Sequence, residues 1–149
     1  MRTEISVEIE RPIEEVFEKT FECVPEWSII VVEDEPIEEK PEVIGSTFRT
    51  ITEENGRRME FIGTVLEHDP PHRSRVELTN KAFDLDVVYL FESIPTGTRV
   101  TQQSEAKPNG LLMKVMFAVM SRFMRKSSCD AQSNELNSLK AFCEGSGAA

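Results

Sequence analysis

A chain of 149 residues with 39% hydrophobic and 30% charged residues has the size and composition of one globular domain, able to bury a core without staples. Its formal net charge of -10 argues against a nucleic-acid partner, because phosphate binding needs a basic surface. No apolar run approaches the roughly 20 residues that span a bilayer, the opening MRTEISVEIE has no apolar signal core, and Cys23, Cys129 and Cys143 form no CxxC pair, so a cytoplasmic protein with reduced thiols is expected.

Residues 3–10 alternate, with Ile5, Val7 and Ile9 on one face and Glu4, Ser6, Glu8 and Glu10 on the other, which predicts a half-buried strand. Arg11-Pro12 stops it, and Ile13, Val16, Phe17 and Phe21 then recur at helical spacing, with Glu14 and Glu15 at the positive end of the helix dipole. Pro25 ends this helix, and PEW opens a short second one that carries the only tryptophan, Trp27. Residues 29–32 read as a short strand. The acidic stretch EDEPIEEKPE reads as a solvated loop, lacking the spacing and glycine of a calcium loop.

A third strand begins at Gly45, and Glu54-Asn55-Gly56 predicts a hairpin turn. Residues 57–67 return as a long strand, with Met59, Phe61, Gly63 and Val65 on one face and Glu60, Ile62, Thr64 and Leu66 on the other. Shorter strands follow at 73–79, with Val76 and Leu78 inward, and at 83–91, with Phe83, Leu85, Val87, Tyr89 and Phe91 inward. The last covers 98–106, with Val100, Gln102 and Ser104 inward. Short connections imply an antiparallel meander, and residues 111–144, free of proline and glycine, supply the one long helix left to cover it.

Six segments in order carry a family resemblance: ERPIEEVFE, PEW, VIGSTFR, TVLEHDPPHR, VVYLFESIPTGTRVTQQSEA and LNSLKAFCE. The pattern resembles the SRPBCC superfamily, the START-like group that includes polyketide cyclase/dehydrase and lipid-transport proteins. That resemblance implies an α+β helix-grip fold. In it a curved antiparallel sheet of about seven strands wraps a long C-terminal helix, with two short helices after the first strand. It implies a single START-like domain over residues 1–144, followed by a disordered tail at 145–149. Activity is not implied, since the superfamily holds carriers, receptors, aromatase/cyclases and chaperone activators.

The expected ligand cavity is lined by Phe48, Met59, Phe61, Val76, Leu78, Leu85, Val87, Tyr89, Phe91, Val100, Gln102 and Ser104 from the strands, and by Leu112, Met116, Val119 and Met120 from the long helix. An ordinary packed core is the competing reading. Gly63 favours a cavity by removing volume or marking a bulge. Tyr89 can orient a carbonyl or serve as a general acid beside Gln102, or its hydroxyl reaches water at the mouth. The resemblance puts Trp27 near that mouth, as a lid, a ligand platform or a core anchor. It also puts the turn HDPPH, with His68 and His72, outside the pocket.

Alternation directs Arg49 and Arg58 outward, and no metal, cofactor or nucleophile motif is present. The long helix has a phase conflict: Leu112, Met116, Val119, Met120 and Phe123 form one stripe, while Leu136, Leu139 and Cys143 lie nearly opposite. Either the helix kinks within 127–133, or it is straight with Ala118, Cys129, Gln132, Leu136 and Leu139 inward. In the second case the methionine-rich stripe meets a homodimer partner, a mobile loop or, with Lys114, Arg122, Arg125 and Lys126 beside it, a membrane surface. The leading expectation is binding or transport of a small hydrophobic ligand. A cyclase/dehydratase acting through Tyr89 on a poly-carbonyl substrate and a protein-interaction module are the alternatives.

Overall fold

The computed structural model describes residues 2–54 and 56–146, and the side chains of all of these but 121–125 and 146. In chain order the elements are β1 (Arg2–Ile9), α1 (Ile13–Glu22), α2 (Val24–Trp27), β2 (Val31–Glu38), β3 (Thr47–Glu54), β4 (Arg57–Asp69), β5 (Arg73–Thr79), β6 (Phe83–Ile94), β7 (Gly97–Pro108) and α3 (Gly110–Ser146). All strand pairs are antiparallel in one curved seven-stranded sheet of order β1-β7-β6-β5-β4-β3-β2. Hairpins join β2 through β7, and β1 closes on β7 from the far end of the sequence, with Val7 opposite Val100. This is the α+β helix-grip arrangement.

The acidic stretch expected to be a loop is largely strand. Asp34, Glu35 and Pro36 pair with Thr50, Arg49 and Phe48, and shifts at Val31/Glu33 and Pro36/Glu38 break the register. Charges, a proline and bulges protect a sheet edge from pairing with another chain, so a strand here has the composition of a loop. The turn residue Asn55 lies outside the described residues; Gly56 beside it has φ 76°, a conformation glycine adopts without a Cβ clash.

The core lies where α1, α2 and the second half of α3 meet β1, β6 and β7. Ile9, Val16, Trp27, Phe91, Val100, Leu136, Leu139 and Cys143 form its centre. Leu136, Leu139 and Cys143 follow the helical spacing that faces a sheet, and each is fully buried. Polar ties fix the same half of the helix. Glu135 accepts from the Ser28 hydroxyl at 2.6 Å and the Ile29 amide at 2.6 Å. The Ser138 hydroxyl donates to the Trp27 carbonyl, and Lys140 donates to the Glu8 carbonyl at 2.7 Å.

α3 runs as one helix from Gly110 to Ser146 with no break within 127–133, which matches the unbroken one of the two expected arrangements. The phase conflict is settled by leaving one stripe outside. Leu112, Met116, Val119 and Met120, assigned to the cavity from sequence, are 74%, 44%, 63% and 44% exposed. Phe123 of that stripe lies outside the described side chains. Ala118 does not turn inward either; Phe117 does, its ring 5.9 Å from Phe83. At its end α3 takes in Gly145 and Ser146, and the last residues, 147–149, lie outside the described part.

Candidate functional site

The ladder registers lay the concave face out as transverse rows. One row runs Thr3, Ser104, Val87, Val76, Val65, and the next Ala106, Leu85, Leu78, Gly63, Phe48. A third runs Ile5, Gln102, Tyr89, Ser74, His68. The second is wholly apolar, and the first is apolar from β6 to β4 but polar at its β1–β7 end, where Thr3 and Ser104 meet. In the third, four adjacent strands each place a polar side chain at the same level. A sheet face gains such a belt only through register, because these residues are far apart in sequence.

His68 joins the belt through a bulge. Between Val65 and Glu67 the β4 register slips by one residue, so parity reverses. Glu67 is thereby turned to the outer face, where it pairs with Arg73 at 3.1 Å and Arg75 at 3.4 Å. His68 is turned to the concave side opposite Ser74, with its ring 5.8 Å from Phe17. The expectation that the HDPPH turn keeps this histidine outside is therefore corrected: β4 runs on to Asp69, and its bulge turns His68 inward. His72 remains exposed at the turn.

At the centre of the belt the Tyr89 hydroxyl accepts from the Gln102 side-chain amide at 2.6 Å. The Gln102 backbone carbonyl in turn accepts from Gln132 of α3 at 2.8 Å, which ties the helix to this level of the sheet. The Tyr89 ring stands edge-on to Phe21 at 5.3 Å and stacks beside Phe91 at 6.3 Å. Burial pushes the phenol well above the ordinary tyrosine range, against the smaller lowering by the Gln102 hydrogen bond. Tyr89 is thus a protonated group able to donate, not a base.

Accessibility divides the sequence-derived lining residues. Phe48, Met59, Val76, Leu78, Leu85, Tyr89, Gln102 and Ser104 are half-buried. Phe61, Val87, Phe91 and Val100 are buried at 1%, 9%, 4% and 0% exposure and serve as packed wall. Trp27 is also buried, at 4%, with its indole nitrogen donating to the Thr20 carbonyl at 3.1 Å. It anchors α2 in the core and is neither a lid nor a platform. Gly63 does not leave space: the Phe48 ring lies across it, and a Cβ there would overlap that ring. Sequence reasoning left Phe83 out of the lining, yet it bridges Phe61 and Phe117 at 5.7 and 5.9 Å.

The outer face offers a shallow groove of about 230 Å³ lined by Arg2, Arg73, Arg75, Asp86 and Glu105, among others. Within it Arg75 pairs with Asp86 at 2.7 Å and Arg73 with Glu67 at 3.1 Å. Arg49 and Arg58 likewise point outward, paired with Glu60 at 3.0 Å and Glu53 at 2.6 Å. Among the described residues, no group of three His, Cys, Asp or Glu side chains is placed to hold a metal ion. Burial pushes the Cys143 thiol up to about 11, which makes it a poor nucleophile.

A seven-stranded sheet gripping a C-terminal helix defines the class of protein. Residues 1–143 match the family described as polyketide cyclase / dehydrase and lipid transport, and the chain belongs to that family. Its fold is similar to TTHA0849 from Thermus thermophilus, at 16% identity and a TM-score of 0.75 over 98% of this chain and 97% of that one. It is also similar to the di-domain ARO/CYC StfQ from the steffimycin biosynthetic pathway, at 13% identity and a TM-score of 0.80. There 99% of this chain aligns with 52% of that one, about half its length. An AHSA1-like protein from Aeromonas hydrophila aligns at 19% identity and a TM-score of 0.69, over 99% and 94% of the two chains. At such identities the likeness shows the fold alone. No curated protein matches the chain in sequence.

Proposed function

We propose that this protein binds a small hydrophobic ligand carrying a carbonyl or hydroxyl group, held between the concave face of the sheet and α3. Phe48, Met59, Val76, Leu78 and Leu85 supply the apolar walls, and Tyr89, Gln102 and Ser104 orient the polar end. The observation that carries this reading is the contrast across the face: the apolar positions Val76, Val65, Leu85, Leu78 and Phe48 keep some accessible surface, and they are bordered by the polar belt through Gln102, Tyr89, Ser74 and His68, with Ser104 beside it. An apolar wall with few convergent polar groups is the usual chemistry of a small-molecule site. Membership of a family that includes lipid transport supports the same reading.

A second reading is catalytic, and a specific observation favours it. A phenol kept protonated by burial and positioned by Gln102 is a general acid or carbonyl-polarising donor for a poly-carbonyl substrate. The family also includes cyclases and dehydrases, and StfQ is an ARO/CYC of this fold. In that mechanism Tyr89 hydrogen-bonds the carbonyl oxygen that gains charge, the half-buried belt limits water, and the apolar rows hold the carbon skeleton.

The deciding experiment is native mass spectrometry of the purified chain beside a Leu85→Trp variant, whose indole would fill the apolar rows. A retained small molecule in the wild type, absent from a folded Leu85→Trp protein, is the expected result. An equal mass retained by both would remove the concave face from the reading. Turnover of an aromatic polyketide analogue that is lost in Tyr89→Phe, with ligand retention unchanged, would favour the enzyme over the carrier.

A further inference from the structure

The first third of α3 carries an apolar strip that no described residue covers. Leu111, Leu112, Val115, Met116, Val119 and Met120 fall on two adjacent rows of four-residue spacing, with exposures of 80%, 74%, 53%, 44%, 63% and 44%. On the inward side of the same turns, Phe117 packs against Phe83. The helix is therefore docked along one side and bare along the other. Contiguous apolar surface of this kind on a folded domain marks a site of interaction.

Charge selects the occupant. Between Glu105 and Asp130 the only charged residues are Lys107, Lys114, Arg122, Arg125 and Lys126, in a chain whose net charge is -10. Along the helix segment itself every charge is thus positive, while Lys107 just before it pairs with Glu105 at 3.6 Å and lies 4.0 Å from Asp86. In a two-fold dimer built on the strip, the same patch meets itself, which brings like charges together. An anionic lipid surface instead supplies the opposite charge to the cations and an apolar layer to the strip. Screening over about 8 Å at physiological salt makes the charges carried by the docked segment itself count most.

We propose that the first third of α3 docks in the plane of an anionic phospholipid bilayer, with Leu112, Val115, Met116 and Val119 seated at the boundary of headgroups and acyl chains. No helix among the described residues is long and apolar enough to cross the membrane, which fits a helix that lies on it. Phe117 and Phe83 link the docked turns to Phe61 on the concave face, so the bilayer would sit against the wall of the proposed ligand site. The docking itself does not depend on that site holding a ligand.

The test is cosedimentation of the full chain with vesicles of phosphatidylcholine alone and of equal parts phosphatidylcholine and phosphatidylglycerol. Binding to the mixed vesicles is expected, weaker by about tenfold or more on neutral vesicles or at high salt. A double variant, Leu112→Glu with Val119→Glu, alters only exposed positions and should keep its circular dichroism and melting temperature while losing vesicle binding by more than about tenfold. Lys114→Glu should weaken binding to the mixed vesicles and leave the weak neutral binding unchanged. Failure of the wild type to bind mixed vesicles, or undiminished binding by the folded double variant, overturns the proposal. So does a concentration-dependent dimer, seen by sedimentation equilibrium without vesicle binding and abolished by the double variant, which would assign the strip to a second copy.

Discussion

The Tyr89 hydroxyl accepts a hydrogen bond from the Gln102 amide at 2.6 Å, between residues directly opposed on β6 and β7. The oxygen's acceptor capacity is thus engaged from the side, and the phenolic proton is left to point away from Gln102. Tyr89 is the only tyrosine in the chain, so its ionisation can be followed without interference. Burial raises its folded-state value above the ordinary value of about 10. The folded state then holds the proton more tightly than the unfolded chain. Stability from this group is unaffected below about pH 10 and falls as pH rises beyond it. The expected observation is no tyrosinate absorbance near pH 10 to 11 in the native protein, with the band appearing on unfolding at the same pH. Gln102→Leu removes the one bond that favours the ionised form and should delay native ionisation further. Titration of the native protein with an ordinary midpoint would show the phenol to be open to solvent.

Phe48 and Gly63 face each other across β3 and β4, and the phenyl ring occupies the place of the missing side chain. A methyl group at 63 would overlap three atoms of that ring, two of them at 2.5 and 2.7 Å. Gly63→Ala should therefore destabilise the fold by about 1–3 kcal/mol, as overpacking does. Chemical denaturation measures it directly. In a Phe48→Leu background the penalty should shrink, because the crowded partner has gone. Equal penalties in both backgrounds would place the strain in the β4 backbone.

Glu135 clamps the link between α2 and β2, taking hydrogen bonds from the Ser28 hydroxyl and the Ile29 amide, each at 2.6 Å, and from the Ile30 amide at 3.2 Å. The Ile30 amide has a second acceptor in the Ser28 hydroxyl, whereas the Ile29 amide is held by Glu135. Glu135→Ala should lower stability by about 1–3 kcal/mol through the lost charged acceptor. It should also speed amide exchange at Ile29 more than at Ile30. Glu135→Gln keeps one acceptor oxygen and should recover part of both effects.

Most of the element order was legible because alternation and turn residues act locally. The rows Phe83, Leu85, Val87, Tyr89, Phe91 and Val100, Gln102, Ser104 face the concave side as their period-two pattern requires. β2 was obscured by its own protection: an edge strand carrying Glu33, Asp34, Glu35 and Pro36 reads as solvated loop until its pairing to β3 is seen. His68 was read with the HDPPH turn, whereas β4 runs on to Asp69 and an extra residue at its bulge, which nothing in VLEHD marks, turns His68 inward. Trp27 could be assigned to mouth or core equally, since burial of a tryptophan depends on what packs over it.

The long C-terminal helix shows the same division. Its existence and length follow from the chain alone, because no proline or glycine breaks residues 111–144 and its residues suit a helix. Two apolar stripes on one helix, however, cannot both face one sheet, and local propensity holds no preference between them. The sheet made that choice. Its curvature and the seats formed by Ile9, Val100 and Trp27 bury Leu136, Leu139 and Cys143, leaving Leu112, Met116 and Val119 exposed. The inward side of each strand is written in its alternation; which polar residues share one level is written only in the register between strands, where Gln102, Tyr89, Ser74 and His68 meet.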